Sequence, residues 1–274
     1  MLHFNKIYTF SSPFISSASG LILNHGRFYV ISDDELNLLS ISDSLNGQVL
    51  QIRLREGVLP VEEKERKKLK PDFESLLYLK DQDSILCIPS GSTINRQKGA
   101  LINSEHKVSE IDFSQIYGEL TKMIPELNIE GAISYGNKIR LFQRGNGKLH
   151  QNGIIDLLLE DFLNDQPKSI QWIPLNLGKL KDIPLSFTDA CHDKDSCWFL
   201  AVAEDSESTY EDGCFVGAVL GKMNEKGEII SLEEIDIPYK PEGLYINSGE
   251  IFIVTDADNR TLPSALYKAE KLIF

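Results

Sequence analysis

A repeat of 53 to 59 residues, present in five copies, leaves this chain few ways to fold. The copies are ASGLILNHGRFYVISDD (18–34), FESLLYLKDQDSILCIPSG (73–91), IEGAISYGNKIRLFQRGNG (129–147), TDACHDKDSCWFLAVAEDS (188–206) and PEGLYINSGEIFIVTDADN (241–259). Each has a polar or acidic residue, a short apolar strand, a polar turn, a second apolar strand and a polar cluster, which is the pattern of a β-hairpin. Aligned on Ser19, Glu74, Glu130, Asp189 and Glu242, the copies are separated by 55, 56, 59 and 53 residues.

Further strand-like runs follow the hairpins, such as LNLLSI, QVLQIRL, GALIN and KVSEIDF. The repeat therefore predicts an all-β chain: a five-bladed β-propeller of four-stranded antiparallel blades. The last copy is one strand short, and HFNKIYTF (3–10) has no hairpin partner. The N-terminal strand is expected to close the last blade and so remove its open edges. No linker interrupts the composition, and residues 1–274 are read as one domain. NGIIDLLLEDFL (152–163) has helical spacing as well but is assigned to a strand, and the basic run KERKKLK (64–70) to a solvated loop.

With 28 basic against 41 acidic residues, the net charge of −13 repels phosphate backbones and anionic lipid. Nucleic acid and membranes are excluded as expected partners, and a monomer taking a small-molecule ligand is expected. No signal-like or membrane-spanning apolar run is present, which points to the cytoplasm. Cysteines at 87, 191, 197 and 214 match no zinc spacing and are read as reduced thiols.

In a propeller the first strand of each blade lines the central channel. Glu74, Glu130, Asp189 and Glu242, with Ser19 in the first copy, then stand at one mouth. Asp33, Arg96, Arg144 and Asp256 follow the second strands and reach the same face, as candidate ligand-binding groups. Gly20, Gly131 and Gly243 beside the ring let neighbouring backbones approach closely. Two unit charges about 5 Å apart at an effective dielectric near 20 repel by roughly 3 kcal/mol. A bound cation, arginines folded over the mouth, a raised carboxyl pKa, or hydrogen bonds that clasp one blade to the next would each answer that repulsion. Oxygen ligands without histidine or cysteine suit calcium.

The phrases FESL, IEGA and PEGL, with PSGSTINRQKG at 89–99, resemble propellers of the calcium-activated apyrase and esterase-like phytase type, and related uncharacterised bacterial propellers. That resemblance implies a central calcium held by Glu74, Glu130 and Glu242, with Ser19 and Asp189 as departures in their blades. It implies a metal-dependent phosphoester or phosphoanhydride hydrolase in which Arg96 and Arg144 hold phosphate oxygens. A glycosidase with paired carboxylates is a second enzyme reading. A non-enzymatic propeller that binds a ligand or protein, with a structural carboxylate ring, stays open beside both.

Overall fold

The computed structural model describes residues 1–194, 196–205 and 214–269. Strand β1 (Leu2–Thr9) precedes a sheet of β2 (Ala18–Asn24), β3 (Arg27–Ser32), β4 (Asn37–Ser42) and β5 (Leu50–Arg53). Helix α1 (Glu63–Leu69) leads into a second sheet of β6 (Phe73–Leu79), β7 (Ser84–Pro89), β8 (Lys98–Asn103) and β9 (Val108–Asp112). Helix α2 (Ser114–Met123) leads into a third, formed by β10 (Ile129–Tyr135), β11 (Lys138–Gln143), β12 (Gly153–Leu158) and β13 (Gln171–Pro174), with α3 (Leu159–Leu163) after β12. The later strands are β14 (Lys179–Leu180), β15 (Ile183–Asp193), β16 (Ser196–Asp205), β17 (Cys214–Met223), β18 (Ile229–Asp236), β19 (Lys240–Asn247), β20 (Glu250–Asp256) and β21 (Ala265–Ala269).

This topology corrects the expected five separate four-stranded antiparallel blades. Three four-stranded sheets stand alone, and the remaining strands form one nine-stranded mixed sheet in the order β14-β15-β16-β17-β18-β1-β21-β20-β19. The seam is β1, which pairs antiparallel with β21 (Phe4 opposite Ala269) and parallel with β18 (Leu2 opposite Ile235). An outer strand such as β18 has a free row of N–H and C=O groups, and β1 satisfies part of it. A hairpin repeat reports pairing within a copy and carries no information about such an edge.

The helices are further corrections. The basic run is α1, with the Glu62 carboxylate capping the Glu65 amide at 2.8 Å. Residues 152–163 divide into β12 and α3. Helix α2 buries Ile116, Tyr117 and Leu120, three residues on one helical face, between the second and third sheets.

Strands β2, β6, β10, β15 and β19 pack side by side in a closed ring, which makes the fold propeller-like. Apolar side chains fill the gaps between successive sheets: Ile31 and Leu38 meet Phe73 and Cys87, and Leu86 and Ile88 meet Ile129 and Leu141. The four cysteines are free thiols, and burial pushes Cys191 and Cys197 up to about 12.

At the ring the backbones come so close that a side chain cannot be added. A Cβ on Gly131 would stand 2.9 Å from the Ala190 nitrogen and 3.1 Å from the Asp189 carbonyl carbon. Gly131→Ala is expected to cost about 1–3 kcal/mol through this overpacking. Urea unfolding reads the cost, and an unchanged midpoint would show that the two strands can part freely.

Candidate functional site

Every ring strand carries a register break at the same place. The pairing skips Ser19 in β2, Glu74 in β6, Glu130 in β10, Thr188 in β15 and Glu242 in β19. A β-bulge of this kind turns a side chain out of the regular alternation. The fourth copy is thus phased one residue earlier than the acid-based alignment: Thr188, not Asp189, occupies the bulge, and Asp189 matches Gly131 and Gly243.

The bulged residues follow two chemistries. Ser19 donates its hydroxyl to the Phe73 carbonyl at 2.6 Å, and Thr188 donates to the Pro241 carbonyl at 2.7 Å. Both bonds fasten one ring strand to the next at the residue before the neighbour's bulge. Asp189 adds to the second clasp, one oxygen accepting from the Leu244 amide and the other from its neighbour Ala190, each at 2.7 Å. Burial raises the Asp189 carboxyl well above its ordinary range.

The three glutamates instead face a pocket of about 410 Å³, lined also by Ser19, Asp33, Arg96, Arg144 and Asp256. Asp189 is absent from its walls. Sequence reasoning places Glu204 after a second strand on this face but puts none of Lys70, Asp72 and Lys240 at the mouth. Lys70 and Lys240 each precede a proline at the start of a ring strand, in KPDFE (70–74) and KPE (240–242), and that recurrence was the available signal.

On one side of the pocket, Lys70 bridges Asp33 and Asp72, reaching Asp72 at 2.9 Å. Arg96 donates to Asp72 at 2.8 Å and to the Lys67 carbonyl at 2.8 Å. Burial works against the Asp72 charge, but Lys70 and Arg96 outweigh it and hold that carboxyl low. On the other side, Arg144 contacts Glu204 and Glu130, the latter at 3.2 Å, while Lys240 lies 3.0 Å from both Glu242 and Asp258. Burial opposes the Glu204 charge too, yet Arg144 and Lys240 keep it below its ordinary value. Glu130 and Glu242 are raised, chiefly by burial.

Glu74 differs from all of these. It is 8% exposed, lines the pocket, and forms no hydrogen bond or close ion pair among the described residues. Burial, then the charges of Glu130, Asp72 and Asp33, push its carboxyl well above the ordinary range, with Lys70 opposing.

A calcium held by Glu74, Glu130, Asp189, Glu242 and Ser19 does not fit this arrangement. Among the described residues, the acids whose oxygens converge within 4.8 Å of one another are Asp33, Asp72 and Glu74, and Lys70 already bridges two of them. Ser19 and Asp189 spend their polar atoms on backbone, and Arg144 and Lys240 neutralise the opposite side.

Asp256 supplies a pH test of the mouth. Burial pushes its carboxyl up to about 7, with Lys240 opposing and Asp258 and Asp33 reinforcing the shift. A raised folded pKa contributes stability that is fully present below the ordinary value of 3.8 and is lost as pH rises through about 7. Asp256→Asn is expected to flatten the decline in unfolding free energy over that window, followed by urea denaturation at successive pH values. A curve parallel to the parent's would show that Asp256 does not carry the proton.

Residues 14–270 match a family described as a family of unknown function, DUF6929, and the chain belongs to that family. No curated protein matches it. Among solved structures, it is similar to an α-L-arabinofuranosidase from Podospora anserina in complex with cellotriose, at 11% identity and a TM-score of 0.58, covering 98% of this chain and 96% of that one. A luciferin-regenerating enzyme aligns at 10% identity and a TM-score of 0.52, covering 98% and 95%. At such identities the likeness is one of fold. No helix among the described residues is long and apolar enough to cross a membrane.

Proposed function

We propose that this family member binds a small polar ligand in the mouth pocket, with Glu74 as the acid–base group that meets it. The observation that carries the reading is the contrast between two neighbouring carboxyls. Asp72 pairs with Lys70 at 2.9 Å and Arg96 at 2.8 Å and is held below its ordinary range, while Glu74, 8% exposed and without a partner, is pushed well above its own by burial. Environments that push two nearby acids apart in this way set an acid–base group beside a fixed negative charge in one cleft. A purely structural mouth accounts for Ser19, Thr188 and Asp189, whose polar atoms clasp adjacent strands. It leaves Glu74 unexplained, since that carboxyl closes no contact.

Phosphoester handling is less well supported. Arg96 and Arg144 are spent on carboxylates, so an anionic ligand would have to break ion pairs in an acidic pocket. A glycosidase reading has less support, because no aromatic side chain among the described residues lines the pocket.

The reading is testable without a known substrate. In carbon-13 spectra of labelled protein, one glutamate side chain, absent from Glu74→Gln, is expected to titrate well above the ordinary 4.5. Titration of Glu74 at its ordinary value would remove the basis of the proposal. If turnover is found in a panel of aryl glycosides, carboxylic esters, phosphoesters and nucleotides, Glu74→Gln is expected to lower kcat by about a hundredfold or more, as loss of a general acid does. Full activity in that variant would place the chemistry elsewhere.

A further inference from the structure

Charge in the pocket falls into two groups. In the first, Lys70 and Arg96 pair with Asp33 and Asp72, beside the unpaired Glu74; in the second, Arg144 and Lys240 meet Glu130, Glu204, Glu242 and Asp258. Among the described residues, eight carboxylates and five cations, Lys67 among them, line the cavity, and Lys70, Arg96, Arg144 and Lys240 are each bound to at least one of those acids. Glu74 is the acid left without a pair: Lys70 and Arg96 are engaged with Asp33 and Asp72, leaving the third carboxyl of the first group unpartnered, nine-tenths buried and facing the cavity.

We propose that the pocket selects a small organic cation, an amine whose ammonium group pairs with Glu74. The inference rests on the small-ligand reading above and adds the charge class. An ammonium carries compact positive charge and donates several hydrogen bonds. Glu74 can accept from it, and the hydroxyls of Ser92 and Thr93 also line the pocket. A calcium ion demands six to eight oxygens, whereas Lys70 already occupies the place between Asp33 and Asp72. A carboxylate or phosphate ligand would meet the unpaired Glu74 with like charge. The groups facing Glu74 are Glu130, Asp72, Asp33 and Lys70, so the surplus there is negative.

The experiment uses two matched sets of probes on the full chain: putrescine, 1,4-butanediol and succinate, and glucosamine, glucose and glucose 6-phosphate. Binding is measured by ligand-observed NMR at pH 7.5, a condition chosen on the order of physiological pH. The amine of each set is expected to bind about tenfold more tightly than its neutral counterpart, the anion not at all, and Glu74→Gln to remove the preference. The glutamine side chain is isosteric and removes a charge that burial opposes, and its melting point is recorded alongside. Neutral or anionic probes that bind as well as the amines, and are lost in Glu74→Gln, would overturn the charge class and leave the pocket reading standing. Displacement of putrescine by millimolar calcium would assign the site to a metal and overturn the amine. Binding by none of the probes, or binding indifferent to Glu74→Gln, would overturn both.

Discussion

Replacing Arg144 by methionine is expected to destabilise the protein by about 3–5 kcal/mol, the usual consequence of removing one partner from a buried ion pair. The guanidinium is 7% exposed and stands among Glu130, Glu204 and Glu242, so its loss leaves three buried carboxyls with Lys240 alone. The loss also depends on pH. Glu204 is held below its ordinary value in the native protein, so its contribution is present above about 4.5 and fades as pH falls through its lower folded value. Without Arg144 that carboxyl rises, and the deficit of the variant should be largest near neutrality and shrink in acid. Arg144→Lys keeps the charge but not the planar fork that spans Glu130 and Glu204, and should recover part of the loss. Urea unfolding of the three proteins at two pH values provides the comparison. A methionine variant as stable as the parent at neutral pH would show that the acids are relieved by some other means.

The ring of bulged residues was largely legible in the sequence because a hairpin repeat fixes its own phase. Ser19, Glu74, Glu130 and Glu242 all occupy the skipped register position. The fourth copy misled because TDA sets an acid beside a hydroxyl, and an alignment on charge chooses Asp189. The bulge selects Thr188, whose hydroxyl repeats what Ser19 does three ring strands earlier. Gly131 was readable for the same reason as the acids, since its place beside the bulge is where the strands approach.

Lys70 was hidden by composition. A basic run reads as a solvated surface, yet its last residue turns under the mouth and bridges two acids while the rest forms α1. Charge neutralisation depends on which distant side chains share a cavity. Asp33, Lys70 and Asp72 converge only after the first and second sheets pack together, and no spacing along the chain records that. Helix α2 carried the right apolar spacing at Ile116, Tyr117 and Leu120, but lay between strands where a blade-to-blade connection was expected.

The least legible feature, the double pairing of β1, has the second large expected effect. Deleting residues 1–10 removes the antiparallel partner of β21 and the parallel partner of β18, and so opens two strand edges. It also removes Phe10, 1% exposed in the core with Phe28 and Val254, and takes Leu2 and Phe4 from the layer around Tyr267. Losing one buried phenylalanine alone costs about 3–5 kcal/mol. For a chain of this size each kcal/mol lowers Tm by roughly 2–4 °C, so the deletion is expected to lower it by at least about 6 °C, the lower bound for Phe10 alone. A point variant separates pairing from burial: Phe10→Ala keeps both ladders and should fall by less than the deletion. Calorimetry of the two variants and the parent tests this. If the deletion and Phe10→Ala melted together, the strand pairing would contribute nothing and the seam would be a passive contact. If the deletion melted within a degree or two of the parent, β1 would be a frayed terminus, and β18 and β21 would be held by their own hairpins.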